Sequence, residues 1–258
     1  MVSNFVEVEQ ARSMPGLRLA VSRGTPGPWG EAAKNIFDVK GIAYTRVSQY
    51  AGMPNEALKA WTGMNNAPIA IYNDEAPVGS WFGILNLAER LAPEPALIPQ
   101  DEAERVQMFG LCHEICGEDG LTWNRRLLMV AAWDKFGTAD DEQLRTKMKT
   151  QYGHSDAALQ RASGRLVAIL RNIAEVVKRQ QQNGSPYLVG KRLSAADIHF
   201  STALAVLAPL SHEQCPMHEG IRAIYETREP EIAAALDPCL LRFRDYQYEH
   251  HLSLPLDL

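Results

Sequence analysis

A serine at a helix start and two cysteines one helical turn apart are the residues whose type and spacing first suggest chemistry. Gly79-Ser80 precedes an amphipathic helix that runs through Ile84, Leu85, Leu87, Ala88 and Leu91. Such a start presents free N–H groups and the positive end of the helix dipole, which suit a carboxylate. Cys112 and Cys116 lie one turn apart with His113 between them, a partial metal site by geometry. A structural zinc takes four ligands, and Glu114 and Glu118 complete no recognised spacing. The pair therefore reads as helix cysteines packed as small hydrophobes, with no metal. Cys215 and Cys239 stand alone as reduced thiols, and four cysteines in 258 residues make no disulfide framework. No serine nucleophile elbow, phosphate-binding glycine loop or zinc-protease motif occurs.

The elements that must position these groups are legible in order. Leu17 to Val21 alternates as a short strand and runs into Ser22 to Gly30, a loop dense in turn residues. From about Trp29 a helix follows through Ala32, Ala33, Ile36 and Phe37 to a stop at Gly41. Ile42 to Val47 reads as a second strand and Asn55 to Thr62 as a short helix, giving the β-α-β-α opening of a small sheet domain. Pro68 stands at the entry to a third strand, Ile69 to Tyr72, where a proline is tolerated and a cis bond is conceivable.

Three prolines between Ala92 and Pro99 then end the regular structure, so residues 93–100 read as a linker between domains. Beyond them the pattern is helical: Asp101 to Cys116, Leu121 to Phe136 and a long helix from Ser155 to Gln182 with a broad apolar stripe. Ser194 and Asp197 form a capping-box variant before another apolar helix, with Leu193 and Ile198 at the staple positions. The expected architecture is an N-terminal extension over 1–16, an α/β domain over 17–92 and an all-helical domain over 101–258.

A net charge of -5 offers no general attraction to phosphate backbones or anionic lipid, so nucleic acid and membrane surfaces are not expected partners. The acids Glu7 and Glu9 interrupt the N-terminal segment, which has no signal-peptide core, and no run reaches membrane-spanning length. A cytoplasmic protein with a small-molecule ligand is the expectation.

Tyr187-Leu188-Val189-Gly190 before Ser194-Ala195-Ala196-Asp197, placed after a proline linker and a sheet domain, resembles the cytosolic glutathione transferase superfamily. The likeness covers about Leu17 to Leu210. Gly27-Pro28-Trp29-Gly30, with Lys34, Lys40-Gly41-Ile42 and Tyr44, is similar to the first helix of omega-like and related members. The resemblance implies a thioredoxin-like N-terminal domain, a helical C-terminal domain, glutathione as cosubstrate and a homodimer. It assigns glutathione contacts to Gly27, Pro28, Trp29, Ala67, Pro68, Gly79 and Ser80. Ala67-Pro68 corresponds to the cis-proline step whose preceding backbone pairs with the cysteinyl unit, and Ser80 to the residue that holds the γ-glutamyl carboxylate.

Two departures bear on the mechanism this implies. Family members carry Cys, Ser or Thr at the position of Gly27, and an acid at that of Gly79. Thiol transfer requires the thiolate, so a pKa near 8.5 must fall toward neutrality. N–H groups at the start of the Trp29 helix can do part of this, with Thr25 and Ser22 as the nearest hydroxyl donors. Taken singly, each reads more readily as a plain turn residue, as a Thr before Pro usually is. Trp29 is either a wall of the site or an anchor of the domain interface.

The pocket for a hydrophobic acceptor, by the resemblance, draws on Trp29, Met108, Cys112, Trp123 and Arg126, a set equally compatible with core packing. Tyr246, Tyr248, His250 and His251, with Arg242 and Arg244 upstream, either cover that pocket or form a solvated helix end, as termini generally do. Three functions follow: a glutathione transferase acting on an apolar electrophile, a non-catalytic protein that binds a hydrophobic ligand or another protein, and a glutathione-assisted isomerase or lyase. Mixed-disulfide reduction is disfavoured because the loop holds no cysteine.

Overall fold

The computed structural model of the chain describes residues 5–136, 142–226 and 229–258. Strands β1 (Phe5–Val6), β2 (Leu17–Ser22), β3 (Tyr44–Gln49) and β4 (Ile69–Tyr72) form one sheet in the order β1-β3-β2-β4, with only β4 antiparallel. Alternation along the central strand β2 builds the two faces. Leu17, Leu19 and Val21 enter the main core under α2 (Pro28–Val39) and α4 (Trp81–Leu91), while Ala20 joins a smaller core under α1 (Val8–Ala11) and α3 (Glu56–Thr62). Phe5 and Val6 extend the sheet at the edge of β3, a pairing too short to leave a period in the sequence. Strand β3 starts two residues later than expected because Ile42 is used by the preceding helix. Its N–H bonds the Phe37 carbonyl at 2.9 Å, and the Gly41 N–H bonds that of Asp38 at 3.0 Å, a Schellman closure that needs the left-handed Gly41.

The remaining helices are α5 (Glu102–Cys116), α6 (Leu121–Phe136), α7 (Glu142–Gln151), α8 (Asp156–Gln182), α9 (Ala195–Ala203), α10 (Glu219–Glu226), α11 (Pro230–Ala235) and α12 (Pro238–His250). Every residue of α9 is buried, and it packs on α5, α12 and α2, so one apolar core runs from the sheet domain into the helices. The fold is a thioredoxin-like α/β domain followed by an all-helical one. The proline-rich stretch between them is tied down: buried Lys40 reaches Glu89 at 2.7 Å and the Pro95 carbonyl at 2.8 Å, and the Ala195 N–H bonds the Leu97 carbonyl. Among the described residues no helix is long and apolar enough to cross a membrane.

The C-terminal segment corrects the expectation of a solvated helix end. Phe243, Gln247 and Tyr248 of α12 are buried, and Gln247 donates to the Pro186 carbonyl at 2.9 Å. The tail beyond returns to α2, where Lys34 donates to the Asp257 carbonyl and Asn35 accepts from the Ser253 N–H. Burying the apolar face of α12 outweighs the hydration of its charged residues.

His199 sits at the seam, its ring edge-on to Trp81 at 5.8 Å and its Nε2 buried without a partner. Burial pushes it down to about 4 from 6.5. Between those values the unfolded chain takes up a proton that the folded chain refuses. The stability it contributes is whole above pH 6.5 and is lost as pH falls toward 4. Relative to His199→Phe, the wild type should lose about 3 kcal/mol of unfolding free energy from pH 7 to pH 4. Urea titrations of both proteins across that range measure the difference; parallel curves would contradict it.

Candidate functional site

The site begins where β2 gives way to α2. Ser22 ends the strand with its hydroxyl donated to Gln49 Oε1 at 2.7 Å, and Gln49 in turn donates to the Asn65 carbonyl at 3.2 Å. That proton is used in holding β2 to β3, so Ser22 is not the free donor expected from its position. Thr25 lines the cleft, and its side chain has no partner among the described residues. Gly27 is the N-cap of α2 at φ -68 and ψ 123, a conformation open to any residue, and a Cβ built there meets nothing within 4 Å. Neither backbone strain nor packing demands the glycine. Pro28 has no N–H and the Glu31 N–H bonds Gly27, which leaves the N–H groups of Trp29 and Gly30 at the positive end of the helix.

The opposite edge comes from the β4 region. The Ala67–Pro68 bond is cis, and both residues border the cleft beside Gly79 and Ser80. Ser80 caps α4, accepting the Gly83 N–H at 3.1 Å, so its own hydroxyl proton remains available to a ligand. At Gly79 the situation is the reverse of that at Gly27: a Cβ would lie 2.6 Å from Met64 Sδ. The thioether fills the place that an acidic side chain would need.

The helical domain closes the cleft with aromatic groups. Trp29 both lines the site and anchors the interface, its Nε1 donating to the Cys116 carbonyl at 2.8 Å. Its ring stacks on Tyr152 at 6.5 Å, and Tyr152 meets Trp123 edge-on at 5.0 Å. Two adjoining cavities result. One, of about 110 Å³, lies against Thr25, Gly27, Trp29 and Arg126; the other, of about 250 Å³, lies against Pro68, Ser80, Trp81 and Trp123. Trp29, Ala67, Gln151 and Tyr152 border both.

Met108 and Cys112 do not border either cavity, which corrects their expected place in the acceptor pocket. Both are fully buried, with Cys112 Sγ 3.5 Å from Met108 Sδ. Met108, Leu111, Cys112 and Ile115 form the stripe at helical spacing that α5 buries against α9, so the core claims them. The wall comes instead from the turn Cys116-Gly117-Glu118 and from Met148, Gln151 and Tyr152 at the end of α7. Nothing in the local sequence marks those three, whose role depends on where α7 is folded. The thiols of Cys112 and Cys116 are pushed well up by burial, and Cys116 donates to the Cys112 carbonyl at 3.0 Å. Tyr246, Tyr248, His250 and His251 border neither cavity.

A thioredoxin-like sheet carrying a cis-proline edge, joined to an aromatic-lined helical domain, is an arrangement with counterparts among solved structures. A glutathione S-transferase from Methylobacterium radiotolerans, in complex with glutathione sulfonate, matches 85% of this chain and 94% of its own at 20% identity and TM-score 0.53. One from Methylobacillus flagellatus, with glutathione bound, matches 88% and 98% at 15% identity and TM-score 0.56. The fold is that of the glutathione transferases. The nitrogen regulation fragment of the yeast prion protein Ure2p shares this glutathione transferase fold, matching 90% of this chain and 96% of its own at 11% identity and TM-score 0.56. In sequence, no protein-family model and no curated protein matches the chain.

Proposed function

We propose that the protein uses glutathione as cosubstrate and transfers its thiol to an apolar electrophile in the cleft. The observation that carries this reading is the convergence of the Gly27–Gly30 helix start, cis Ala67–Pro68 and Ser80 on one cleft backed by aromatic rings. The Ala67 backbone pairs with the cysteinyl unit, and Ser80 with the start of α4 holds the γ-glutamyl carboxylate. The sulfur lies at the start of α2, where the Trp29 and Gly30 N–H groups and the Thr25 hydroxyl favour the thiolate. The acceptor occupies the larger cavity among Trp29, Trp81, Trp123 and Tyr152. The same thiolate serves an isomerase or lyase. The open position at Gly27 favours the second reading, a binding protein that has given up turnover.

The protein acts in the cytoplasm as a homodimer. Exposed Phe82 and Val106, beside Phe109 with Arg105 over its ring at 5.1 Å, supply an apolar face for the second copy, and sedimentation equilibrium reports the state.

Calorimetric titration with glutathione, followed by the ultraviolet thiolate band at neutral pH, tests the enzyme readings. Binding accompanied by a thiolate band is the expected result. No heat at millimolar glutathione would sink transferase, isomerase and lyase together. A band unchanged in Thr25→Ala assigns the activation to the backbone alone.

A further inference from the structure

Arg126 borders the smaller cavity beside Thr25, Gly27 and Trp29, and its charge has no counter-ion there. Its guanidinium donates to the hydroxyls of Tyr225, at 3.5 Å, and Tyr152, and lies 5.7 Å from the centre of the Tyr225 ring. The Nε is buried and unpartnered, and no acidic side chain among the described residues pairs with this arginine. Glu31 is the acid bordering the same cavity; its Oε1 pairs with Lys34 at 2.9 Å, its Oε2 is buried without a hydrogen-bond partner, and no ion pair joins it to Arg126. Other arginines of the helical domain are matched differently. Arg125, one residue earlier, faces Glu229 at 3.7 Å and donates to the Val206 carbonyl, and Arg165 holds Glu114 through both carboxylate oxygens.

An arginine keeps its charge at any physiological pH, and half-buried Arg126 carries that charge into the cavity wall without an anion. Two neutral hydroxyls orient the group without neutralising it. Its planar fork matches a carboxylate. The larger cavity next door supplies flat aromatic walls at Trp29, Trp81 and Trp123 and has the acid Glu118 in its lining, which leaves Arg126 as the place for an anionic arm; Tyr152 stands between the two cavities. We infer that the electrophile accepted in this cleft is a planar molecule bearing a carboxylate, with its ring among Trp29, Trp81 and Trp123 and its anionic arm on Arg126. This rests on the transferase reading for the word electrophile, whereas the anion site itself does not.

The test therefore separates them by omitting glutathione first. Para-nitrobenzoate and its neutral counterpart nitrobenzene are titrated against the full chain, with quenching of tryptophan fluorescence as the readout. The wild type should bind the carboxylate at least about ten-fold more tightly, the gain typical of a charge-assisted contact. Arg126→Gln should lose the preference, and Arg126→Lys, which keeps the charge without the fork, should retain part of it. Equal affinities in the wild type would overturn the inference without reference to any variant, as would a preference that survives Arg126→Gln in a protein with an unchanged far-ultraviolet spectrum.

Repeating the titration with saturating glutathione identifies the source of the anion. Nitrobenzoate that still binds supports an acceptor carboxylate. One-for-one displacement gives the arginine to the glycine carboxylate of glutathione and overturns the acceptor assignment. A titration of the bound thiolate that moves in Arg126→Gln while the nitrobenzoate preference does not would place the charge on sulfur and overturn it equally. A carboxylate preference in a protein that binds no glutathione leaves the anion site standing and removes only the transferase reading.

Discussion

Asp197→Ala is expected to lower the unfolding free energy by about 3–5 kcal/mol, because three buried donors lose their acceptor at once. The carboxylate receives the Leu188 N–H on Oδ1 at 2.7 Å, and the Ser194 N–H and hydroxyl on Oδ2 at 2.7 and 2.8 Å. It therefore does two things. It caps α9, the buried helix at the centre of the core, and it fixes the Tyr187–Gly190 turn against the start of that helix. Burial pushes the group up to about 6 although all three donors pull the other way, which shows how far from water it lies. Alanine leaves a space beside Leu188 and Ser194 and satisfies none of the donors. A melting temperature about 10 °C lower follows for a chain of this size. Calorimetric melts would check it, and Asp197→Asn, which keeps one acceptor oxygen, should fall between. A change of less than about 1 kcal/mol would mean that the donors find water, and that α9 does not depend on its cap.

The same carboxylate shows which parts of the molecule can be read from sequence. Capping boxes, glycine stops and proline steps are local: Ser194 and Asp197 are three residues apart, Gly41 closes its own helix, and Pro68 and Ser80 announce a strand entry and a helix start. Those signals were enough for the two-domain order and for one edge of the cleft. What decides the other edge is non-local. Met64 over Gly79, Tyr152 between Trp29 and Trp123, and the missing counter-ion of Arg126 are relations between residues far apart in the chain. For Met108 and Cys112 the sequence leaves pocket and core equally open, because an apolar stripe does not say whether it meets a ligand or another helix; here it meets α9. The two-residue strand β1 and the four-residue helix α1 are too short to show a period, and exist because β3 and the smaller core hold them.

Gly27→Cys should turn the site into a covalent trap for glutathione, with a result that is close to all or none. The position is open, its backbone angles suit any residue, and it caps a helix whose first turn leaves the Trp29 and Gly30 N–H groups free. A thiol placed there meets the positive end of the dipole and should ionise well below 8.5. Given glutathione disulfide, that thiolate attacks one sulfur, forms a mixed disulfide to the protein and expels the second glutathione as its thiolate. The background is clean because Cys112, Cys116, Cys215 and Cys239 are buried with their thiols pushed up by burial. Intact-mass analysis of the variant should therefore gain a single glutathionyl group that a reductant removes, while the wild type stays unmodified. Capture should slow as pH falls through the lowered thiol pKa, since the thiolate is the nucleophile. If the variant remains unmodified while its helix content is unchanged, the start of α2 does not receive the sulfur of glutathione, and the thiol must lie elsewhere in the cleft. If it is modified but the wild type binds no glutathione, the geometry of the site survives in a chain that has lost affinity through Gly79 and Met64, and the binding-protein reading gains the ground that the transferase loses.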